Sequence, residues 1–178
     1  RPGVGGWRKD PANKREPFIG GGCHAVDLVR WIAGEVHEVF AYSNRMMLKD
    51  WPVDDCFISS MKFESGAIGK VFVSIGCKRP YTMRSVFYGS HGTIISDNTS
   101  PTIQVYSTKL QDTQAFSTIP VAIANHNVTA EIAEFIDCII KDKPVLTDGR
   151  EGMMTVAVCR AAVESANRGE PVKVEELL

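Results

Sequence analysis

The sequence predicts an α+β domain, with helices packed on one face of an open, mainly antiparallel β-sheet. Three observations predict it. Short β-type segments fill the middle of the chain, from Val36 to Ile119. Helical periodicity precedes them from Cys23 and follows them from Ile132. Turn residues, rather than helices, separate the β-type segments, as in a meander.

Taken in order, residues 1–22 are rich in Gly, Pro and charge and read as an irregular segment crossing the surface. From Cys23, Leu28, Trp31 and Ile32 recur at the helical interval, and Gly34 is a natural stop. Val36 to Met47 shifts to β-type residues and reads as a first strand. Cys56–Phe63 and Ala67–Ile75 flank Glu64-Ser65-Gly66, a hairpin with Gly where a positive φ is useful. Further strands are expected at 84–88, 93–96, 102–107 and 114–119, punctuated by Ser90-His91-Gly92 and Asp97-Asn98. Ile132, Phe135, Ile136, Ile139 and Ile140 then form one apolar stripe. Asp148 and Glu151 have capping-box spacing and introduce a second closing helix through Met154, Val158, Ala161 and Ala162. Asn167 to Pro171 ends that helix, and Val172-Lys-Val174 reads as a last strand.

The 178 residues suit one domain, and 44% hydrophobic with 23% charged residues is an ordinary globular balance. A net charge of −1 without a basic tract argues against nucleic acid or an anionic membrane as partner. No apolar stretch approaches the roughly 20 residues needed to span a bilayer. Five cysteines without CxxC spacing point to reduced thiols in the cytoplasm rather than disulfides or zinc. The chain opens Arg1-Pro-Gly-Val-Gly-Gly-Trp7, with no Met and no signal-peptide pattern. It reads as starting in mid-loop, with any targeting sequence upstream. Val71, Val73 and Ile75 alternate with Phe72, Ser74 and Gly76, so both sides of that strand carry apolar residues. A second copy covering the sheet's free face, hence a homo-oligomer, is the expectation; a face solvated by Ser, Lys and Thr is the alternative.

The densest chemistry lies in Phe18-Ile-Gly-Gly-Gly-Cys-His24-Ala-Val-Asp27. Successive glycines let a backbone approach a ligand closely, and they run into a helix start whose free N–H groups favour negative charge. Histidine is the side chain that exchanges a proton near neutral pH, and Asp27, one turn on, is placed to orient it. A glycine-rich turn, a capping His and an Asp paired with Arg30 would explain the same residues without catalysis. The run is not a dinucleotide fingerprint, since it lacks G-x-G-x-x-G and a preceding strand. No metal is expected, because His24 and Asp27 lack a further ligand at local spacing. Trp7, Arg8 and Asp10 form either a substrate-side lip beside His24 or a structural corner. His126, with Asn125 and Asn127, either reaches a polyol or caps the helix that follows.

Gly5-Gly-Trp-Arg-Lys-Asp-Pro11 followed by Gly20-Gly-Gly-Cys-His-Ala-Val-Asp-Leu-Val-Arg-Trp-Ile-Ala-Gly34 resembles the start of the C-terminal domain of the Gfo/Idh/MocA oxidoreductases. Asp54-Asp55, Tyr88-Gly-Ser-His-Gly-Thr-Ile94, Asp148-Gly-Arg-Glu-Gly152 and Pro171-Val-Lys-Val continue the likeness along the whole chain. The resemblance implies a glyceraldehyde-3-phosphate-dehydrogenase-like sheet domain that shapes a sugar, inositol or polyol site. It implies NAD or NADP as cofactor, held mainly by an N-terminal Rossmann domain that residues 1–178 do not include, so that this chain alone would not turn over. His24 would take the substrate hydroxyl's proton as hydride passes to the nicotinamide, with Asp27 in support. Substrate contacts fall to Trp7, Arg8, Cys23 and His126, and cofactor contacts to Gly21 and Gly22. Many members of that family carry an Asp four residues before the His, where this chain has Gly20. That departure keeps two other readings open: a non-catalytic oligomerisation or sugar-sensing module, and nicotinamide-assisted glycoside cleavage.

Overall fold

The computed structural model describes residues 6–10, 12, 13, 15–110, 114–122 and 128–178. In chain order the helices are α1 (Pro17–Gly20), α2 (Cys23–Ala33), α3 (Val128–Ile140) and α4 (Gly149–Arg168). The strands are β1 (Val36–Asn44), β2 (Cys56–Phe63), β3 (Ile68–Ser74), β4 (Arg84–Gly89), β5 (Gly92–Asp97), β6 (Thr102–Ser107), β7 (Ser117–Pro120) and β8 (Val172–Lys173). The chain divides into two units, Arg1–Lys78 with Leu146–Leu178, and Arg79–Val145.

The first unit holds an antiparallel sheet of order β3-β2-β1-β8. Period-2 alternation decides its two faces. Val39 and Ala41 of β1, Phe57, Ser59, Met61 and Phe63 of β2, and Val71 of β3 are buried. All of these but Ser59 meet Phe18 of α1, Val26 of α2, and Ala157, Val158, Ala161 and Ala162 of α4 in one core. The small residues of α4 let it sit close on β1. A hydrogen bond fixes its depth there: β8 is only two residues long, and the Ala41 amide beyond its end donates to buried Ser165 Oγ at 3.0 Å. On the opposite face Tyr42, Ile58 and Phe72 pair across three strands and are all exposed.

The second unit holds β4-β5-β6-β7, also antiparallel, and α3. The strands therefore form two four-stranded sheets rather than the single meander the pattern predicts. Residues 75–83, which lie between β3 and β4 and include Gly76 and Pro80, belong to neither sheet. The last strand of the run begins at Ser117, three residues later than expected, because its pairing with β6 starts at Val105↔Ser117. The segment read as irregular contains a 3₁₀ turn at Gly6–Lys9 and the single-turn α1, with Pro17 at its first position where no N–H is needed. Gly66 has φ 84° in the hairpin turn that the sequence places there.

Asp148 caps α4 as its sequence spacing implies, its Oδ1 accepting from the amides of Arg150 and Glu151 at 2.9 and 3.0 Å. The reciprocal half of a capping box differs: the Glu151 carboxylate turns to Arg30 of α2 instead.

Candidate active site

α1, the glycine turn and α2 form one tight corner. The amides of Gly21 and Gly22 both donate to Pro17 O, at 2.9 and 3.0 Å, and Gly22 O accepts from Val26 N at 3.0 Å. Gly22 is buried, and a Cβ there would lie 2.7 Å from both Phe18 O and Val73 Cγ2. Its lack of a side chain lets α2 start directly against α1 and β3, so the close approach it permits is to protein. Gly21 is exposed, and among the described residues only Pro17 O, at 3.8 Å, comes within 4 Å of a Cβ placed on it. Of the two glycines read as cofactor contacts, Gly21 is the exposed one and Gly22 the buried one.

His24 is the second residue of α2 and is exposed. Among the described residues its imidazole has no hydrogen-bond partner. Asp27, one turn on, does not orient it in this structure: its Oδ1 accepts from Thr155 Oγ1 of α4 at 2.6 Å. That hydroxyl in turn accepts from Arg30 Nη1 at 2.8 Å.

Arg30 is the centre of this network and is only 5% exposed. Its Nε and Nη2 grip Glu35 at 3.3 and 2.7 Å. Nη2 also reaches Glu151 Oε2 and Nη1 reaches the Glu151 carbonyl, each at 3.1 Å. Asp27 Oδ1 lies 3.9 Å from Nη1. Burial works against the charge, but hydrogen bonds and Coulomb attraction from Glu35 and then Glu151 outweigh it and raise the guanidinium's pKa. Arg30 thus joins the helix bearing His24 to α4, where its partner Glu151 lies 121 residues further along the chain. Sequence spacing signals only its local part, the Asp27–Arg30 neighbourhood; Thr155 and Glu151 carry no sequence mark for it.

The remaining predicted residues separate. Cys23 is half-buried and packs on the core rather than opening outward. It adjoins buried Cys159, whose thiol is pushed up to about 12, by burial first and then by Cys23 and Asp27. Trp7 is exposed, with the Arg15 guanidinium 5.6 Å from its ring centroid. Asp10 builds the structural corner: its carboxylate accepts from the Ala12 amide at 2.9 Å and Asn13 Nδ2 at 3.3 Å, while Asn13 Nδ2 also donates to Trp7 O. The side chain of Arg8, and His126 with its neighbours, lie outside the described residues. His37 pairs with Glu64 at 3.1 Å on the surface, and His91 sits in the two-residue turn between β4 and β5.

The structure thus places an exposed imidazole, without a hydrogen-bond partner among the described residues, at the start of a helix that follows a glycine corner and is tied to α4 by Arg30. Comparison with known proteins shows the family. Residues 1–174 match the oxidoreductase family, C-terminal alpha/beta domain, of the Gfo/Idh/MocA proteins, and the chain belongs to that family. It is 27% identical over 168 residues to a myo-inositol 2-dehydrogenase of Thermotoga maritima, covering 90% of this chain and 50% of that protein. The chain thus spans about half the length of that curated relative. Its fold matches a levoglucosan dehydrogenase solved with NADH and L-sorbose, with a TM-score of 0.85, 22% identity, and 95% of this chain and 53% of that one covered. It also matches an oxidoreductase from Agrobacterium radiobacter in complex with NAD+, L-tartaric acid and magnesium, with a TM-score of 0.74, 23% identity, and coverage of 89% and 49%.

Proposed function

We propose that this chain is the substrate-side domain of a nicotinamide-dependent oxidoreductase acting on a sugar, an inositol or a related polyol. The observation that carries the reading is the exposed His24, free of partners among the described residues, at the start of a helix that Arg30 locks to α4. His24 is the general base: its ring nitrogen takes the proton of the reacting substrate hydroxyl. Asp27 serves through the backbone, because its bond to Thr155 holds α2 one turn below His24, and His24 with it, in place. Trp7 offers an exposed aromatic face of the kind that stacks against the C–H side of a sugar ring.

The residues present fit a nicotinamide cofactor at one point. Gly21 is exposed, so its backbone can meet a flat ring; Gly22 is buried against Phe18 and Val73. NAD or NADP, held mainly by an N-terminal dinucleotide-binding domain in the full-length protein, would accept the substrate's hydride. The exposed row of Tyr42, Ile58 and Phe72, with Phe40 edge-on to Tyr42 at 4.9 Å, supports a homo-oligomer through the free face of the first sheet. Five free cysteines fit a reducing, cytoplasmic setting, and no helix among the described residues is long and apolar enough to cross a membrane.

The test is His24→Ala in the full-length protein. Loss of a general base lowers turnover by about 10²–10⁴-fold, while the circular dichroism of the variant stays that of the wild type. Normal turnover in a folded variant sinks the assignment.

A further inference from the structure

Resting on that reading, we infer that Arg15 is a specificity residue that selects a substrate carrying an anionic oxygen group, a carboxylate or a phosphate, beside its hydroxyls. The Arg15 side chain folds back along the glycine corner. Its Nη2 donates to Gly20 O at 2.8 Å, and its guanidinium carbon stands 5.6 Å from the centroid of the Trp7 ring. These two contacts hold a long side chain in one place, so much of the entropy a flexible arginine would lose on gripping a ligand is already lost.

The position depends on the absence of a side chain at Gly20. A Cβ there would lie 2.8 Å from Arg15 Nε and 3.4 Å from Cδ and Cγ. Gly20 stands four residues before His24 and is joined to α2 only by Gly21 and Gly22. A cation therefore lies over the corner that leads to the proposed base.

That cation is uncompensated among the described residues. The nearby Asp10 carboxylate is taken by Ala12 and Asn13, and neither it nor Glu16 pairs with Arg15. A guanidinium has five N–H donors, and Gly20 O uses one. The rest form a planar fork suited to a carboxylate or phosphate, on a side chain that is exposed. An arginine needed only to hold the corner would be served by that one carbonyl. The remaining donors, next to an exposed indole able to stack on a sugar, describe an acid-sugar subsite.

The experiment uses the full-length protein, wild type, Arg15→Gln and Arg15→Lys. Turnover is measured with a neutral inositol or hexitol, with a uronate or aldonate, and with a hexose phosphate. The wild type is expected to favour one anionic class by at least about tenfold in kcat/KM, and which class wins separates carboxylate from phosphate. Arg15→Gln abolishes the preference through KM with kcat little changed, and Arg15→Lys restores part of it. A wild type that favours the neutral polyol, or an Arg15→Gln variant that loses all substrates alike, overturns the inference. Binding is followed separately by tryptophan emission, with Trp7→Phe to identify the signal. A saturable response to the uronate or phosphate that Arg15→Gln lacks upholds the subsite even if no compound is turned over, in which case the oxidoreductase reading is what fails. An equal response to chloride at the same ionic strength overturns the subsite.

Discussion

Replacing Arg30 by Met keeps most of the buried aliphatic stem and removes only the guanidinium, so it measures the polar network directly. The lost contacts are two hydrogen bonds to Glu35, one to the Glu151 carboxylate, one to the Glu151 carbonyl and one to Thr155 Oγ1. A fully enclosed ion pair that loses one partner costs about 3–5 kcal/mol, because the other charge is stranded. Here the Glu35 and Glu151 side chains are 48% and 45% exposed, so both rehydrate once freed. The Glu151 carbonyl loses its donor, while the Thr155 hydroxyl keeps Asp27. The expected loss is therefore about 2–3 kcal/mol, below the enclosed-pair range. Urea unfolding followed by far-UV circular dichroism reads it as a lower midpoint at unchanged slope. Because the guanidinium is buried, most of the loss persists at about 0.5 M salt, where exposed pairs are screened. A loss under about 0.5 kcal/mol, the size of an ordinary surface substitution, would refute the view that this network fastens α2 to α4.

Gly22→Ala forces a Cβ to within 2.7 Å of the Phe18 carbonyl and of Val73, and is expected to cost about 2 kcal/mol; unchanged urea stability would show that the corner gives way easily. In the second unit, the Thr99 hydroxyl first and then the Thr99 amide, with the Arg84 hydrogen bond and charge each adding less than desolvation opposes, hold Asp97 down to about 2 from its ordinary 3.8. A carboxylate depressed in the folded state stabilises in full above its unfolded value, so this contribution is lost as pH falls from about 4 to about 2. Asp97→Asn should flatten that part of the acid-unfolding curve, and an unaltered slope would count against it.

Much of the fold was legible because it rests on local rules. α2 stopping at Gly34, the hairpin at Gly66, the strand limits around the Ser90-His91 turn and the Asp148 cap each depend on residues within one turn of one another. What escaped was set by packing against other elements, most of them far along the chain. Glu151 has the spacing of a capping box, yet a buried cation at Arg30 attracts its carboxylate more strongly than its own helix's amides do. Gly22 reads as a backbone made ready for a ligand, and Phe18 with Val73 take that space. Cys23 lies inside the densest motif, but it faces Cys159 and the core because α2 must bury one side. The division into two sheets was hidden for a related reason. Alternation marks each strand, but nothing in it says which neighbour a strand pairs with.

Asp27 is where these two kinds of information conflict, and one substitution separates them. Spacing places it beside His24 as a partner for the imidazole; the structure gives its carboxylate to Thr155 at 2.6 Å and brings it within 3.9 Å of Arg30. Asparagine keeps an acceptor for the Thr155 hydroxyl and removes the charge. If Asp27 anchors the helix, Asp27→Asn in the full-length protein holds kcat within about threefold, since the bond that positions His24 survives. Asp27→Ala then loses more, about 1 kcal/mol in stability, with a fall in turnover that Asn does not share. If the charge instead supports an imidazolium during proton transfer, Asn is as damaging as Ala, by tenfold or more, and the pH profile of kcat moves with it. The anchoring account therefore requires Asn and Ala to differ, and a pair of equally inactive, folded variants would overturn it.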